Sequence, residues 1–514
     1  MTNIKKTALI ITIIALGSKF IGFTREIVLA YFYGTSYVVD AYLMAIAIPG
    51  IVFGWITSLS ISYTPIYMDV RVKLGEEKSI RFTNNIISIA ITLSLICAFF
   101  GVVFSSQLVS FAAPGFEGEI YELTSKFVKV SVFSIVFNVF VQILISYLNC
   151  DGKFILSNLS NFVISSIQLV VIFLSSKFGH EILIYGTVLS NMVQLVVLYI
   201  FSVNNGYRFK YKLKITPEIK QAFAILAPIF ISSMLAQINS FVNKIFASGL
   251  VEGSISSLNY SMIIRTFVYS VFTVALTTMI YPMLSKSIAE NNINAVKSMV
   301  SKSINFVIIL FVPITIGAIL LSEPAIYFIY ERGEFRSQST QMTSIALQMY
   351  LLGLTAIALR DVLTYVFYSL QDTKVTMYVS VFTVSLCILF SVILVNPMMH
   401  AGLALATSVA EILTLPLFFY FLRKRLGSLG IKNSLSIFIK SCASSAIMGL
   451  AVHFVFNYTS SILGAGRLYV LLSIVISVII GAVIYLVLML LMKVSEMEFF
   501  TSIIRGVWRR IFHT

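Results

Sequence analysis

Long apolar runs, separated by short gaps that hold nearly all the charge, constrain this chain more than anything else in it. A helix needs about 20 apolar residues to cross a bilayer core. Only a helix or a closed barrel satisfies its backbone polar groups there. Fourteen such runs can be read, six of them centred in 7–33, 37–66, 83–112, 122–149, 154–176 and 181–203. Eight more follow in 219–248, 254–284, 300–322, 338–370, 374–396, 400–422, 434–457 and 467–492. Several exceed the bilayer minimum, so tilted or broken helices are expected rather than extra spans. Composition agrees: 58% of the residues are hydrophobic and 11% charged, against roughly a quarter charged in soluble domains. The fold class is an all-α polytopic membrane protein with 14 transmembrane helices.

The formal charge of +15 would suit a nucleic-acid binder if it formed a patch. Instead the basic residues fill the gaps, so no nucleic-acid partner is expected. One set of gaps and ends carries 24 Lys and Arg, including Lys5, Lys6, Arg71, Lys78, Arg208, Lys210, Arg423 and Arg510. The alternate set carries 4, namely Lys177, Arg332, Arg336 and Arg467. By the positive-inside rule both termini are cytoplasmic. The apolar start is read as a retained first span, because Lys19 and Arg25 interrupt it and no small-residue cleavage site follows. Cys97, Cys150, Cys387 and Cys442 show no metal or redox spacing, so neither a disulfide nor a zinc site is expected.

The longest internal break, NNGYRFKYKLKITPE, divides the chain. At an offset near 218, Ile27 meets Ile245, Tyr42 meets Tyr260 and Met44 meets Met262; at 220, His180 and Thr187 meet His400 and Thr407. Parallel six-helix repeats with a site between them are a transporter architecture. The expected organisation is a first lobe at 1–203, a cytoplasmic basic linker at 204–218 and a second lobe at 219–425. The two lobes would enclose a central cavity, with two further helices in 433–493. From Ser495 the chain opens with a Ser-x-x-Glu capping box. It sets Phe500, Ile504, Val507 and Ile511 against Arg505, Arg509 and Arg510. This reads as an interfacial helix over 495–514 on anionic lipid; a frayed tail is the alternative.

An ionisable side chain within a span costs roughly 2.5–3.5 kcal/mol on insertion scales, so each one needs a reason. The basic ones are Lys19, Arg25, Lys126, Lys129, Lys244, Arg265, Arg360 and Lys440; the acidic ones are Glu26, Asp40, Asp361 and Glu411. Lys126, Lys129 and Lys440 are read as snorkelling to a surface, and Arg360–Asp361 equally well as a self-compensating pair. Lys19 and Arg25 are harder to dismiss, because Gly22 between them permits a bend and neither lies at the cytoplasmic end. A cavity with surplus cation suits an anionic substrate. The candidate substrate-binding residues are Lys19, Arg25, Glu26, Asp40, Lys244 and Arg265. The chain contains no G-x-x-x-x-G-K-[ST] and no H-E-x-x-H, so neither an ATP motor nor an enzyme is expected.

Four segments carry a more specific signal: SKFIGFTREIVLAYFYGTSYVVDAYLMAIAIP (18–49), LSEPAIYFIYERGEFRSQST (321–340), FYSLQDTKV (367–375) and HAGLALATS (400–408). In this order and spacing they resemble the MurJ/MviN lipid II flippase family of the MATE-like exporter superfamily. The resemblance runs through about residues 5–425. It implies two six-helix lobes plus two helices, and export of undecaprenyl-diphosphate-linked peptidoglycan precursor across the bacterial cytoplasmic membrane by alternating access. Lys19 and Arg25 match the family's helix 1 cations, and Asp40 its acidic residue opening helix 2. The family's helix 2 arginine falls at Phe53, its helix 8 arginine at Ile263 with Arg265 nearby, and a helix 8 proline at Val268. Positions that bind sodium in some members appear as Asn243, Cys387, Ser391 and Thr407, so a sodium site looks degraded and the coupling ion stays open. No cofactor is implied. Expected partners are lipid II, membrane lipids and cell-wall synthesis proteins, with the chain itself a monomer. A flippase for another polyprenyl-diphosphate-linked oligosaccharide and a MATE-type multidrug antiporter remain as alternatives.

Overall fold

The computed structural model describes residues 2–52, 54–214, 216–276, 281–289, 293–427, 431–464 and 466–494. Phe53 and the expected interfacial helix at 495–514 lie outside the described residues. Every element among those described is helical. Two compact units form: Met1–Ser256 with Arg332–Ser339, and Ser257–Glu331 with Thr340–Thr514.

The first unit begins with α1 (Thr2–Tyr33), α2 (Tyr37–Val52), α3 (Gly54–Leu74) and α4 (Glu76–Val103). It continues through α5 (Ser105–Ala112), α6 (Gly118–Ser131), α7 (Ser134–Cys150), α8 (Phe154–Phe178), α9 (Ile182–Asn204) and α10 (Pro217–Ser248). α1 packs along α8, α8 along α9, and α10 against α3. Where α8 and α9 cross, a Cβ on Gly186 would strike the Val171 side chain, so the missing side chain sets the approach of the two helices. Hydroxyls within the spans turn back on their own helix. In α4, Thr83 donates to Ser79 O at 2.9 Å and Ser94 to Ala90 O at 2.7 Å. These bonds let a serine-bearing run remain a helix in hydrocarbon.

The basic stretch after α9 is pinned rather than loose. Tyr207 is buried and donates to Asn84 Oδ1 at 2.7 Å, and the Lys212 N–H reaches Ser88 Oγ at 2.9 Å. Arg208, Lys210, Lys212 and Lys214 are left exposed along α4.

The second unit carries α11 (Ser254–Ala275, whose first turn belongs to the first unit), α12 (Tyr281–Ala289), α13 (Ile293–Leu320), α14 (Ser322–Tyr330) and α15 (Ser337–Leu351). It ends with α16 (Leu354–Ser369), α17 (Thr373–Leu426), α18 (Ile431–Leu463) and α19 (Arg467–Leu491). α18 packs on α19 and α13, and α16 on α17. The 54-residue α17 is two helices joined at a kink, with Met399 at φ 50° and ψ −133°. Pro397, which lacks an N–H to continue the ladder, sits two residues before it.

The described residues of each of the fourteen apolar runs lie in a helix or a broken helix. Among the described residues, seven helices are long and apolar enough to cross a membrane by themselves, and nine if two bent pairs each count as one span. Those pairs are α6–α7, bent by 42°, and α15–α16, bent by 43°. The kinked α17 is one of the seven although it covers two of the runs.

Candidate functional site

In the first unit the cation of α1 is held in place. Arg25 donates through Nη2 to Glu26 Oε1 and through Nη1 to Gln168 Oε1 on α8. Its side chain is 32% exposed, whereas that of Glu26 is 9% exposed. The guanidinium is therefore oriented by two acceptors on a side chain that stays partly exposed, and the planar fork of an arginine can grip a phosphate. Tyr42 lies beside this pair and bonds Thr187 Oγ1 at 2.9 Å. Lys19 is exposed and makes no hydrogen bond or ion pair among the described residues.

Asp40 has a different surrounding. It is 3% exposed, and its two oxygens accept the N–H groups of Gly253 and Ser256, both at 2.8 Å. The carboxylate thus caps the start of α11, where unpaired N–H groups favour negative charge. Lys244 of α10 donates to Leu43 O at 3.3 Å, one turn along α2 from Asp40. So the structure pairs Arg25 with Glu26 and brings Asp40 and Lys244 each to backbone, while Arg265 sits in the second unit.

Two of the motif segments meet in the first unit. Glu334 N–H donates to Tyr31 O at 2.9 Å, and Thr35 Oγ1 lies 2.8 Å from Ser339 Oγ. Gly34 (φ +56°) and Gly333 (φ +58°) make the approach possible. A Cβ on Gly34 would strike Glu334 O, and one on Gly333 would strike Tyr31 O. The same positions require a left-handed backbone, so glycine is needed twice over.

In the second unit Arg360 of α16 bridges two carboxylates. Its Nη1 meets Glu411 Oε1, and its Nη2 lies 3.3 Å from Asp361 Oδ1. Asp361 also accepts the Tyr269 hydroxyl at 2.5 Å. Arg265 lays its guanidinium 4.8 Å from the Tyr350 ring centroid, a cation–π arrangement. Cys387 and Thr407 face each other, Sγ to Oγ1 at 3.7 Å. His400 bonds Met342 O at 3.0 Å, in keeping with a structural role, and Lys440 donates to Met492 O at 3.0 Å beyond the end of α19. Lys126 and Lys129 are exposed. The residues that reading for charge passed over are Gln168 and the Arg360–Glu411 contact. The only sequence signal for Gln168 is an amide inside the apolar run of α8.

This unit also contains an apolar cavity of about 500 Å³ between α11, α13, α18 and α19. Val268, Gly317, Met448, Val452, Val478 and Gly481 are among its walls. Val268 is the residue standing where the resemblance leads one to expect a proline, and here its side chain helps form the apolar wall.

A family model described as "Lipid II flippase MurJ" matches residues 29–473 of this chain. The chain belongs to the MurJ lipid II flippase family. MurJ relatives include a probable lipid II flippase MurJ of Rickettsia prowazekii, 27% identical, with 89% of this chain and 92% of that protein covered. Another, from Buchnera aphidicola subsp. Schizaphis graminum, is 27% identical over 85% of this chain and 86% of its own length. Among solved structures, a lipid II flippase MurJ in an inward closed conformation superposes with a TM-score of 0.80. It is 23% identical, with 93% of this chain and 98% of that one covered. An inward-facing multidrug MATE transporter gives 0.61 at 14% identity, covering 82% of this chain and 98% of its own. The MurJ family, expected from four short segments, is thereby shown over residues 29–473, and the fold is one that MATE transporters share.

Proposed function

We propose that this chain carries lipid II, the undecaprenyl-diphosphate-linked peptidoglycan precursor, from the inner to the outer leaflet of the bacterial cytoplasmic membrane. It is a transporter and not an enzyme. The observation that carries this reading is membership of the MurJ family across residues 29–473, which takes in both compact units.

The chemistry of the side chains supports it. A diphosphate is best met by guanidinium groups whose planar fork can hold two oxygens. Arg25, oriented by Glu26 and Gln168, offers such a group, with Lys19 supplying an exposed point charge on the same helix. Lys244 and Arg265 complete the cationic set, and Asp40 serves by holding α11. An isoprenoid chain has no polar atoms, and the apolar cavity beside α18 and α19 suits it. In our reading the repeats at 1–203 and 219–425 alternate access, the linker at 204–218 and both termini face the cytoplasm, and 495–514 lies on the inner leaflet. The protein works as a monomer without a cofactor, alongside cell-wall synthesis proteins.

The test is made in a bacterium depleted of its own flippase. With this chain expressed, an external lipid II-cleaving probe should regain its substrate, and Arg25→Ala should lose that gain while remaining inserted. Failure of the well-inserted native chain to restore cleavage would count against lipid II as cargo. It would direct attention to another polyprenyl-diphosphate glycan, with Phe53 and Ile263 the first positions to examine.

A further inference from the structure

The charge cluster of the second unit has an asymmetry that the cationic-site reading does not use. Both oxygens of Asp361 are engaged, Oδ1 by Arg360 and Oδ2 by Tyr269. Glu411 has one oxygen engaged, by Arg360, while its Oε2 is buried with no hydrogen-bond partner among the described residues. Nη1 of Arg265 is likewise buried and unpartnered. A lone acceptor and a lone donor of opposite charge thus share one neighbourhood without meeting. Exposure is graded as well: Arg360 and Asp361 keep 32% and 36% of their side chains exposed, Glu411 only 7%. Arg360 therefore links the surface of the unit to a carboxylate in its interior.

The geometry points to Glu411 as a proton-binding site linked to an anion at Arg360. While Arg360 stays on Glu411, the buried carboxylate has its counter-ion. A phosphate that engages the partly exposed Arg360 competes for its guanidinium and leaves Glu411 as a buried charge with too few partners. Such a group neutralises by taking a proton from solvent, here on Oε2, forming an O–H bond and cancelling the charge. When the anion leaves, Arg360 returns and the proton is released. By linkage, proton and anion then each strengthen the binding of the other.

The titratable and charged groups around Glu411 bear this out. Arg360 and Asp361 face it from α16, and Arg265 from α11. Tyr269 of α11 holds Asp361, Tyr350 of α15 lies under Arg265, and Cys387 of α17 is beside Tyr350. With all of these in their usual forms the two arginines and two carboxylates cancel. One added proton leaves a single positive charge for the anion to neutralise. A metal cation is a poor occupant, because two guanidinium groups repel it. Nor do three of His, Cys, Asp or Glu gather anywhere among the described residues. Taking the anion to be the diphosphate of the cargo rests on the function proposed above; the proton site itself does not.

The test uses the full-length protein in lipid nanodiscs. Infrared difference spectra across pH, taken with farnesyl diphosphate bound, should show the carbonyl stretch of a protonated carboxyl in the native chain. That band should lose the intensity of one carboxyl in Glu411→Gln and keep it in Asp361→Asn. Affinity for lipid II and for farnesyl diphosphate should rise as pH falls, by at most about tenfold per pH unit for one linked proton. In Glu411→Gln the pH dependence should flatten. A native chain with no such band, a band of undiminished intensity in Glu411→Gln, or a native affinity indifferent to pH would overturn the proposal. Should Glu411→Gln fail to fold, the native spectra and affinities, with Asp361→Asn, still decide. If lipid II does not bind but farnesyl diphosphate binds with the expected pH dependence, the cargo reading fails and the proton site stands.

Discussion

At the scale of single residues, Arg25 shows how a charge in a span is held in place. Two acceptors fix its plane, and one of them, Gln168, lies 143 residues away in the chain. A hydrogen bond to a charged group contributes about 1.5–3 kcal/mol, and the partial exposure of Arg25 places this one near the lower end. Gln168→Leu should therefore weaken lipid II binding by about tenfold without affecting insertion. Gln168→Glu keeps an acceptor but adds a negative charge beside the same guanidinium, so it should weaken binding of the diphosphate at least as much. Equal affinities in the leucine variant and the native chain would show that the amide does not position Arg25. Arg25 and Glu26 were legible in the sequence because an ionised group in an apolar run is conspicuous. Gln168 was not, since a neutral amide costs less to insert and its partner is set only by packing. Asp40 was legible as a charge but not as a cap, because its two donors come from the start of α11 and the residue before it, more than 200 residues later.

Elements were easier to read than their breaks. Among the described residues every apolar run is helical or a broken helix, yet where α6–α7 or α15–α16 bend depends on how neighbours pack, which periodicity alone does not encode. The kink in α17 was more visible, since Asn396–Pro397 marks it. What no run of hydropathy reveals is that the turn after α1 and the turn before α15 lock together through two glycines. Gly333→Ala should lower the melting temperature of the detergent-purified protein through two effects. One is a left-handed backbone, worth about 1–2 kcal/mol; the other is the clash with Tyr31 O. Gly206 separates them. Its φ is +88°, and an added Cβ there meets nothing, so Gly206→Ala reports the backbone effect alone. Equal losses in the two variants would mean that the contact between the turns contributes nothing to stability.

For the whole molecule, the distribution of charge makes a claim that helix count alone does not. Twenty-four basic residues on one set of gaps and ends against 4 on the other fit an even number of spans. The seven to nine helices passing a length-and-hydropathy criterion do not give that number, because several spans are broken, kinked or interrupted by charge. Orientation resolves it experimentally. The native cysteines are first replaced, and single cysteines are then introduced at Lys177 and Arg336 on the sparse side and at Lys78 and Lys210 on the rich side. In intact cells a membrane-impermeant maleimide should label the first two and spare the second two, which react only after the membrane is opened. Lys210 is the most telling position, since it is exposed on a strip held against α4 by Tyr207 and Lys212, so its labelling reports sidedness rather than a wandering loop. Labelling of Lys210 from outside would invert the linker between the repeats. The first six spans would then have to be an odd number, and the parallel-repeat architecture on which alternating access rests would fail with them.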